Sequence, residues 1–154
     1  MADLTPTQSE QLSRRRAQFD AFHAERLPVL VDFCTSLELP DPHLVLNDPT
    51  PFVPPINQWV AAQNAADLSR DDHVWLATRV GYLIGEYFVC RYSGCWFVDD
   101  NPDSNWFAHF VVGQFPRHGS ARVAPMQMAI DLVESSGDLE VYLGDASAAI
   151  ERQS

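Results

Sequence analysis

A single carboxylate stands inside a mostly apolar run, RVGYLIGEYFVCRY, at residues 79–92. Glu86 could act there as a general acid or base, but that chemistry needs a second polar group within reach, and the sequence offers no clear one. Buried charges are nearly always paired with another group. We therefore interpret Glu86 as a structural carboxylate at the edge of the core. Its predicted partners are backbone N–H groups or an arginine, and Arg79, seven residues earlier on nearly the same side of a helix, is the candidate.

Three cysteines and five histidines could supply metal ligands or nucleophiles. Cys90, Cys95 and His109 form the best set, but the cysteine spacing is not C-x-x-C and a fourth ligand is missing. No histidine pair matches H-E-x-x-H, and no G-x-S-x-G, P-loop or G-x-G-x-x-G is present. The sequence therefore predicts no metal, no cofactor and no catalytic residue.

Acidic and aromatic residues crowd one segment, CWFVDDNPDSNWFAHFVVG, at residues 95–113. Two aromatic and β-branched runs around Asp, Asn, Pro and Ser predict a β-hairpin, and the loop lacks the spacing of an EF-hand. Strand alternation leaves both faces of the hairpin partly apolar. Either the sheet is covered on both sides, or one face meets a partner. For the second alternative the candidate partner-binding residues are Asp99, Asp100, Asp103, Trp106 and Phe107.

Helical patterns precede the hairpin. Residues 5–38 predict a long N-terminal helix, with Thr7 and Glu10 as a capping box and a kink or break at Pro28. Residues 39–57 hold six of the eleven prolines among apolar residues. That composition predicts an ordered but irregular crossing that packs on the body, followed by a short helix at residues 57–65.

The central helix is predicted from residue 69 to about residue 92, with Ser93 and Gly94 as its stop signal. Gly81 and Gly85 share one face of it. Because each glycine costs a helix about 1 kcal/mol relative to alanine, we expect another backbone, the hairpin or the first helix, to approach this face closely.

The C-terminal part begins with a helix opened by Pro125 and ended by Gly137. Residues 138–154 fit either a short helix or a strand over LEVYL. Together these patterns predict one domain, residues 1–154, of the α+β class. In it a long N-terminal helix and a central apolar helix pack on a small antiparallel hairpin, with C-terminal helices beside them.

The net charge of the chain limits the classes of partner that it can bind. The 154 residues carry a net charge of −11, and all ten basic residues are arginine. That balance opposes binding to nucleic acid and favours a basic partner. The tail from Asp131 to Glu151 holds six acidic residues and no basic one. An odd cysteine count and a polar N-terminus predict reduced thiols and the cytoplasm, and residues 74–90 are too short and too charged for a membrane span.

The run GEYF…RYSGCWFVDDNPDSNWF…FVVG, residues 85–113, resembles a pattern of small uncharacterised bacterial proteins, a domain of unknown function. There a helix that ends in Gly-Glu-aromatic leads to Gly-x-Trp, a hairpin with a Pro-x-Ser turn, and Val-Val-Gly. A more distant similarity links it to immunity proteins of bacterial toxin systems. The resemblance implies a bacterial domain and no site residues.

The sequence thus predicts a non-catalytic, acidic, immunity-like module that binds a basic protein partner. One alternative is a small-ligand-binding protein or a small enzyme with a pocket near Glu86. Another is a homodimer that uses the aromatic hairpin.

Overall fold

The computed structural model describes residues 3–152, and in this part of the chain five helices pack with a three-stranded antiparallel sheet. The predicted α+β class, with its long N-terminal helix, is confirmed. The helices are α1 (Pro6–Ser36), α2 (Val53–Ala61), α3 (Arg70–Tyr92), α4 (Pro125–Ser135) and α5 (Leu139–Glu151). The strands are β1 (Cys95–Val98), β2 (Phe110–Gly113) and β3 (Arg122–Val123).

Helix α1 begins with a capping box that Thr5 and Gln8 form, not Thr7 and Glu10 as predicted. The Thr5 hydroxyl accepts from the Gln8 N–H at 3.1 Å, and the Gln8 side chain accepts from the Thr5 N–H at 2.9 Å. Pro6 therefore takes the first helical position, where its missing N–H has no helical partner to lose. The helix also runs through Pro28 without being split.

The proline-rich crossing is ordered. It forms two 3₁₀ turns, Pro42–Leu44 and Thr50–Phe52, and leads directly into α2, which starts at Val53 instead of residue 57. Two prolines fit in the first turn of α2 because the N–H groups there make no helical hydrogen bond. Val45 and Ile56 are fully buried, so the crossing packs on the core as expected.

Helix α3 forms where predicted. Ser69 is its N-cap, with the hydroxyl accepting from the Asp72 N–H at 3.1 Å, and Ser93 ends it in the left-handed conformation. The face of α3 that carries Gly81 and Gly85 packs closely against side chains of other elements. A Cβ at Gly85 would come within 1.8 Å of the Trp96 ring, and one at Gly81 within 2.3 Å of the Met126 sulfur. The hairpin thus approaches Gly85, but through the Trp96 side chain and not through its backbone as expected, whereas Met126 of α4 approaches Gly81.

The sheet has the order β1-β2-β3, with Trp96 opposite Val112 and Val112 opposite Val123. The second strand starts at Phe110, so the alternation predicted for residues 106–109 is wrong. That segment is a turn in which Ala108 has a positive φ of 61°. Strand β3 was not predicted, because a strand of two residues gives no periodic pattern in the sequence.

At the C-terminal end α4 begins at Pro125 as predicted, and its left-handed cap is Ser136. The LEVYL segment is helical, because Asp138 caps α5 by accepting from the N–H groups of Glu140 and Val141. Helix α4 packs chiefly against α3. Among residues 3–152, no helix is long and apolar enough to cross a membrane.

Candidate functional site

Glu86 occupies a buried polar centre between α1, α3 and β1. Its side chain is 2% exposed, and its two oxygens have different partners. Arg26 donates to Oε1 at 2.7 Å, and Trp96 donates through Nε1 to Oε2 at 2.6 Å. Glu86 does not line any of the five best-formed clefts described among residues 3–152. Both oxygens are engaged in hydrogen bonds that join three elements of the core.

Arg79 is not the partner of Glu86. Its Nη1 donates to the Trp75 carbonyl at 3.0 Å, and its guanidinium lies 4.0 Å from the centre of the Trp75 ring. Seven residues along a helix put two side chains on one side but about 10 Å apart along the axis. Arg26 can reach instead because α1 packs across α3, a contact that spacing within one helix does not reveal.

His23 is a titratable neighbour of this centre. Its ring stacks on Phe19 with centroids 5.5 Å apart. Burial lowers the pKa of His23, and the charge of Arg26 lowers it further, whereas Glu86 acts in the opposite direction. Within residues 3–152 the His23 ring makes no hydrogen bond to Glu86, whose two oxygens are bonded to Arg26 and Trp96.

Asp99 cannot contact a partner, contrary to the prediction for it, because its side chain is 0% exposed. Arg122 on β3 donates to its Oδ1 at 2.9 Å, and the Ser104 hydroxyl donates to its Oδ2 at 2.6 Å. The Asn101 N–H also donates to Oδ1. Asp99 therefore organises the loop and ties it to the third strand, which was itself unpredicted.

The other predicted partner-binding residues lie on the loop between β1 and β2. Asp100 is exposed but already paired with Arg16 of α1 at 3.2 Å. Asp103 is exposed, Trp106 is 37% exposed, and Phe107 is half-buried. The loop thus presents the Trp106 ring and the Asp103 carboxylate to solvent, and Asp103 belongs to no ion pair among residues 3–152.

The α4–α5 region carries acidic residues without basic ones, since no basic residue occurs between positions 123 and 151. Five of their carboxylates are exposed, and none of the five belongs to an ion pair among residues 3–152. They are Asp131, Glu134, Asp138, Glu140 and Asp145. This region retains its negative charge, whereas Arg16 neutralises Asp100 on the hairpin loop.

Two of these carboxylates line a concave site, here called the acidic cleft, of about 650 Å³ between α2 and the α4–α5 turn. Asn57 holds them in place: its Nδ2 donates to Asp138 at 3.0 Å and lies 3.5 Å from Glu140. Its Oδ1 accepts from the Leu139 N–H at 2.9 Å. Pro54 and Pro55 supply apolar surface on the α2 side. An amide thus fixes two carboxylates beside a hydrocarbon wall.

This arrangement fits a basic side chain. The alkyl stem of an arginine or lysine packs on apolar surface while its charged head stays polar, and here the head would meet Asp138 and Glu140. Sequence reasoning found the acidic tail but missed Asn57, which lies 81 residues from Asp138. No local pattern indicates that contact.

The residues considered as metal ligands are not brought together. Cys95 contacts the Gln114 amide, Cys90 contacts the Leu46 carbonyl, and His109 contacts Gln127. All three cysteines are free thiols. Within residues 3–152, no group of three His, Cys, Asp or Glu side chains could hold a metal ion.

No protein-family model, no curated protein and no solved structure matches this chain. The similarity to bacterial domains of unknown function and to immunity proteins therefore stays a prediction.

Proposed function

We propose that the protein is a non-catalytic module that binds a basic protein partner, and that the acidic cleft is where it does so. The observation that carries the proposal is the pair Asp138 and Glu140, held by Asn57 on the wall of a 650 Å³ cleft in a chain of net charge −11. An immunity-like role, in which the module neutralises a basic toxin, is the form of this proposal that the sequence resemblance favours.

Charge complementarity at a preformed concave site supports the binding of a basic partner. Long-range attraction to a −11 surface accelerates encounter with a basic partner, and this contribution weakens as salt rises. The cleft adds specificity, because a partner must place a cation between two fixed carboxylates and hydrocarbon against Pro54 and Pro55. A catalytic role at Glu86 is disfavoured because both of its oxygens are bonded in the core.

The test titrates the isotopically labelled chain with tetra-arginine amide and maps the NMR shift changes. We expect them to concentrate at Asn57, Gly137 and Glu140, and to decline between 50 and 300 mM salt. Glu140→Gln should weaken binding about two- to fivefold, as for an exposed ion pair worth roughly 0.5–1 kcal/mol. Glu134→Gln removes the same charge from α4 outside the acidic cleft and should change the affinity much less.

Equal losses in the two variants, or shift changes spread over every acidic segment, would show that only net charge matters and would contradict a site at the cleft. If the pattern holds, the immobilised chain serves to find the natural partner. The expected partner is a basic protein that the wild type and Glu134→Gln retain, that Glu140→Gln retains less, and that salt elutes.

A further inference from the structure

A second concavity, here called the apolar groove, lies between α1, α3, α4 and the start of β2 and has a volume of about 320 Å³. This is within the range of pockets that bind small molecules. Val74 and Ile130 are 60% and 40% exposed at its walls, so the groove opens to solvent. Its apolar walls are formed by Phe22, Val74, Ala77, Phe110, Met126 and Ile130.

One end of the groove is polar and carries Arg15, His109 and Gln127. Arg15 is fixed by its Nε, which donates to the Ala108 carbonyl at 3.0 Å, and by its position 5.1 Å from the centre of the Phe110 ring. Within the described part of the chain, its terminal Nη nitrogens have no hydrogen-bond partner. A guanidinium that is held through Nε and has unused donors thus lines this apolar space.

His109 adds a second donor at this end. Its Nδ1 lies 3.1 Å from the Gln127 amide nitrogen. With that amide as donor, a neutral imidazole carries its proton on Nε2. Burial lowers the pKa of His109 and the charge of Arg15 lowers it further, whereas Asp99 acts in the opposite direction; the net lowering favours the neutral ring. A smaller cleft of about 270 Å³ shares Arg15 and His109, so this end is also reached from the side of α1.

The charge of the groove is opposite to that of the protein. Among residues 3–152, no carboxylate lines it and Arg15 is its one charged side chain. A guanidinium with free N–H groups matches the planar, two-oxygen geometry of a carboxylate. We propose that the apolar groove binds a small monocarboxylate with an aliphatic body, whose carboxylate meets Arg15 and His109 and whose chain lies between α3 and α4. This site is independent of the acidic cleft.

The test uses octanoate as the probe, with 1-octanol and octylammonium as probes of the same chain length and different charge. Isothermal titration and NMR shift mapping on the full chain should show one saturable octanoate site, with shift changes at Thr78, His109 and Gln127. Octylammonium should bind at least tenfold more weakly. Arg15→Gln should weaken octanoate about tenfold or more, as expected for lost hydrogen bonds to a charged group.

Two matched controls separate the site from general effects. Arg16→Gln removes the neighbouring cation, which faces Asp100, and should leave octanoate affinity within twofold. Val74→Trp should fill the groove and abolish binding, whereas Val141→Trp, at an equally exposed position on α5, should not. Thermal unfolding of each variant shows that it is folded. Equal binding of octanoate and octylammonium, equal losses in Arg15→Gln and Arg16→Gln, or no octanoate binding at millimolar concentration would each overturn the proposal.

Discussion

Removing the arginine that pairs with Glu86 tests the view that this centre is structural. In Arg26→Leu we expect the Glu86 carboxylate, which is 2% exposed in the wild type, to keep its hydrogen bond from Trp96 but to lose its counter-charge. The matched variant is Arg16→Leu, the same change in the same helix, at an ion pair whose two side chains are 57% and 65% exposed.

The expected magnitudes differ because solvent screens one pair and not the other. Losing one member of a buried pair costs about 3–5 kcal/mol, and we expect the lower end because Arg26 itself is 24% exposed. An exposed pair contributes roughly 0–1 kcal/mol, which sets the expected loss for Arg16→Leu. A loss of about 3 kcal/mol is a large share of the roughly 5–15 kcal/mol that stabilises a typical domain.

Urea unfolding followed by circular dichroism measures both losses as changes in the free energy of unfolding. Adding Glu86→Gln to Arg26→Leu should recover at least half of the loss, because the amide removes the unpaired charge and still accepts from Trp96. If Arg26→Leu were no more destabilising than Arg16→Leu, the buried pair would not join α1 to α3, and the structural interpretation of Glu86 would be wrong.

Three further measurements check the packing and the titration of the core. Gly85→Ala should destabilise the fold by about 1–3 kcal/mol in thermal unfolding, because its Cβ would come within 1.8 Å of Trp96. Gly144→Ala, in open space on α5, should instead stabilise it by about 0.4–1 kcal/mol, and similar effects in the two variants would contradict the close approach. Burial raises the pKa of Tyr82 from 10.0 to about 12, so the contribution of its neutral phenol to the free energy of unfolding is complete below pH 10 and is lost as the pH rises to 12. In Tyr82→Phe, the free energy of unfolding from urea titrations should therefore fall less between pH 10 and pH 12. An unchanged dependence on pH would refute this assignment. Burial also raises the pKa of the Cys34 thiol to about 11. In a thiol-reagent assay Cys34 should therefore react only on unfolding, after the exposed Cys90 and Cys95. Rapid reaction of all three cysteines in the folded protein would show that Cys34 is not buried.

The fold class and most of the helix boundaries could be predicted from the sequence because their signals are local. A hydroxyl at Ser69 caps α3, Ser93 and Gly94 follow its last turn, and Pro125 opens α4. The N-cap hydrogen bond of α3 links residues only three apart in the chain, so residue type and spacing suffice to place it. The strand that begins at Phe110 was predicted too long, since aromatic residues also fill the turn before it.

The candidate sites depended on contacts between distant segments. Arg26 reaches Glu86 across 60 positions, Asn57 reaches Asp138 across 81, and Arg15 reaches the Ala108 carbonyl across 93. An acidic tail and a lone buried acid were visible in the sequence, but their partners were not. Helix packing selects which side chains meet, and many packings satisfy one apolar pattern. The charges were therefore determined by the sequence, whereas the tertiary structure decided which of them are neutralised in the core and which remain available for binding.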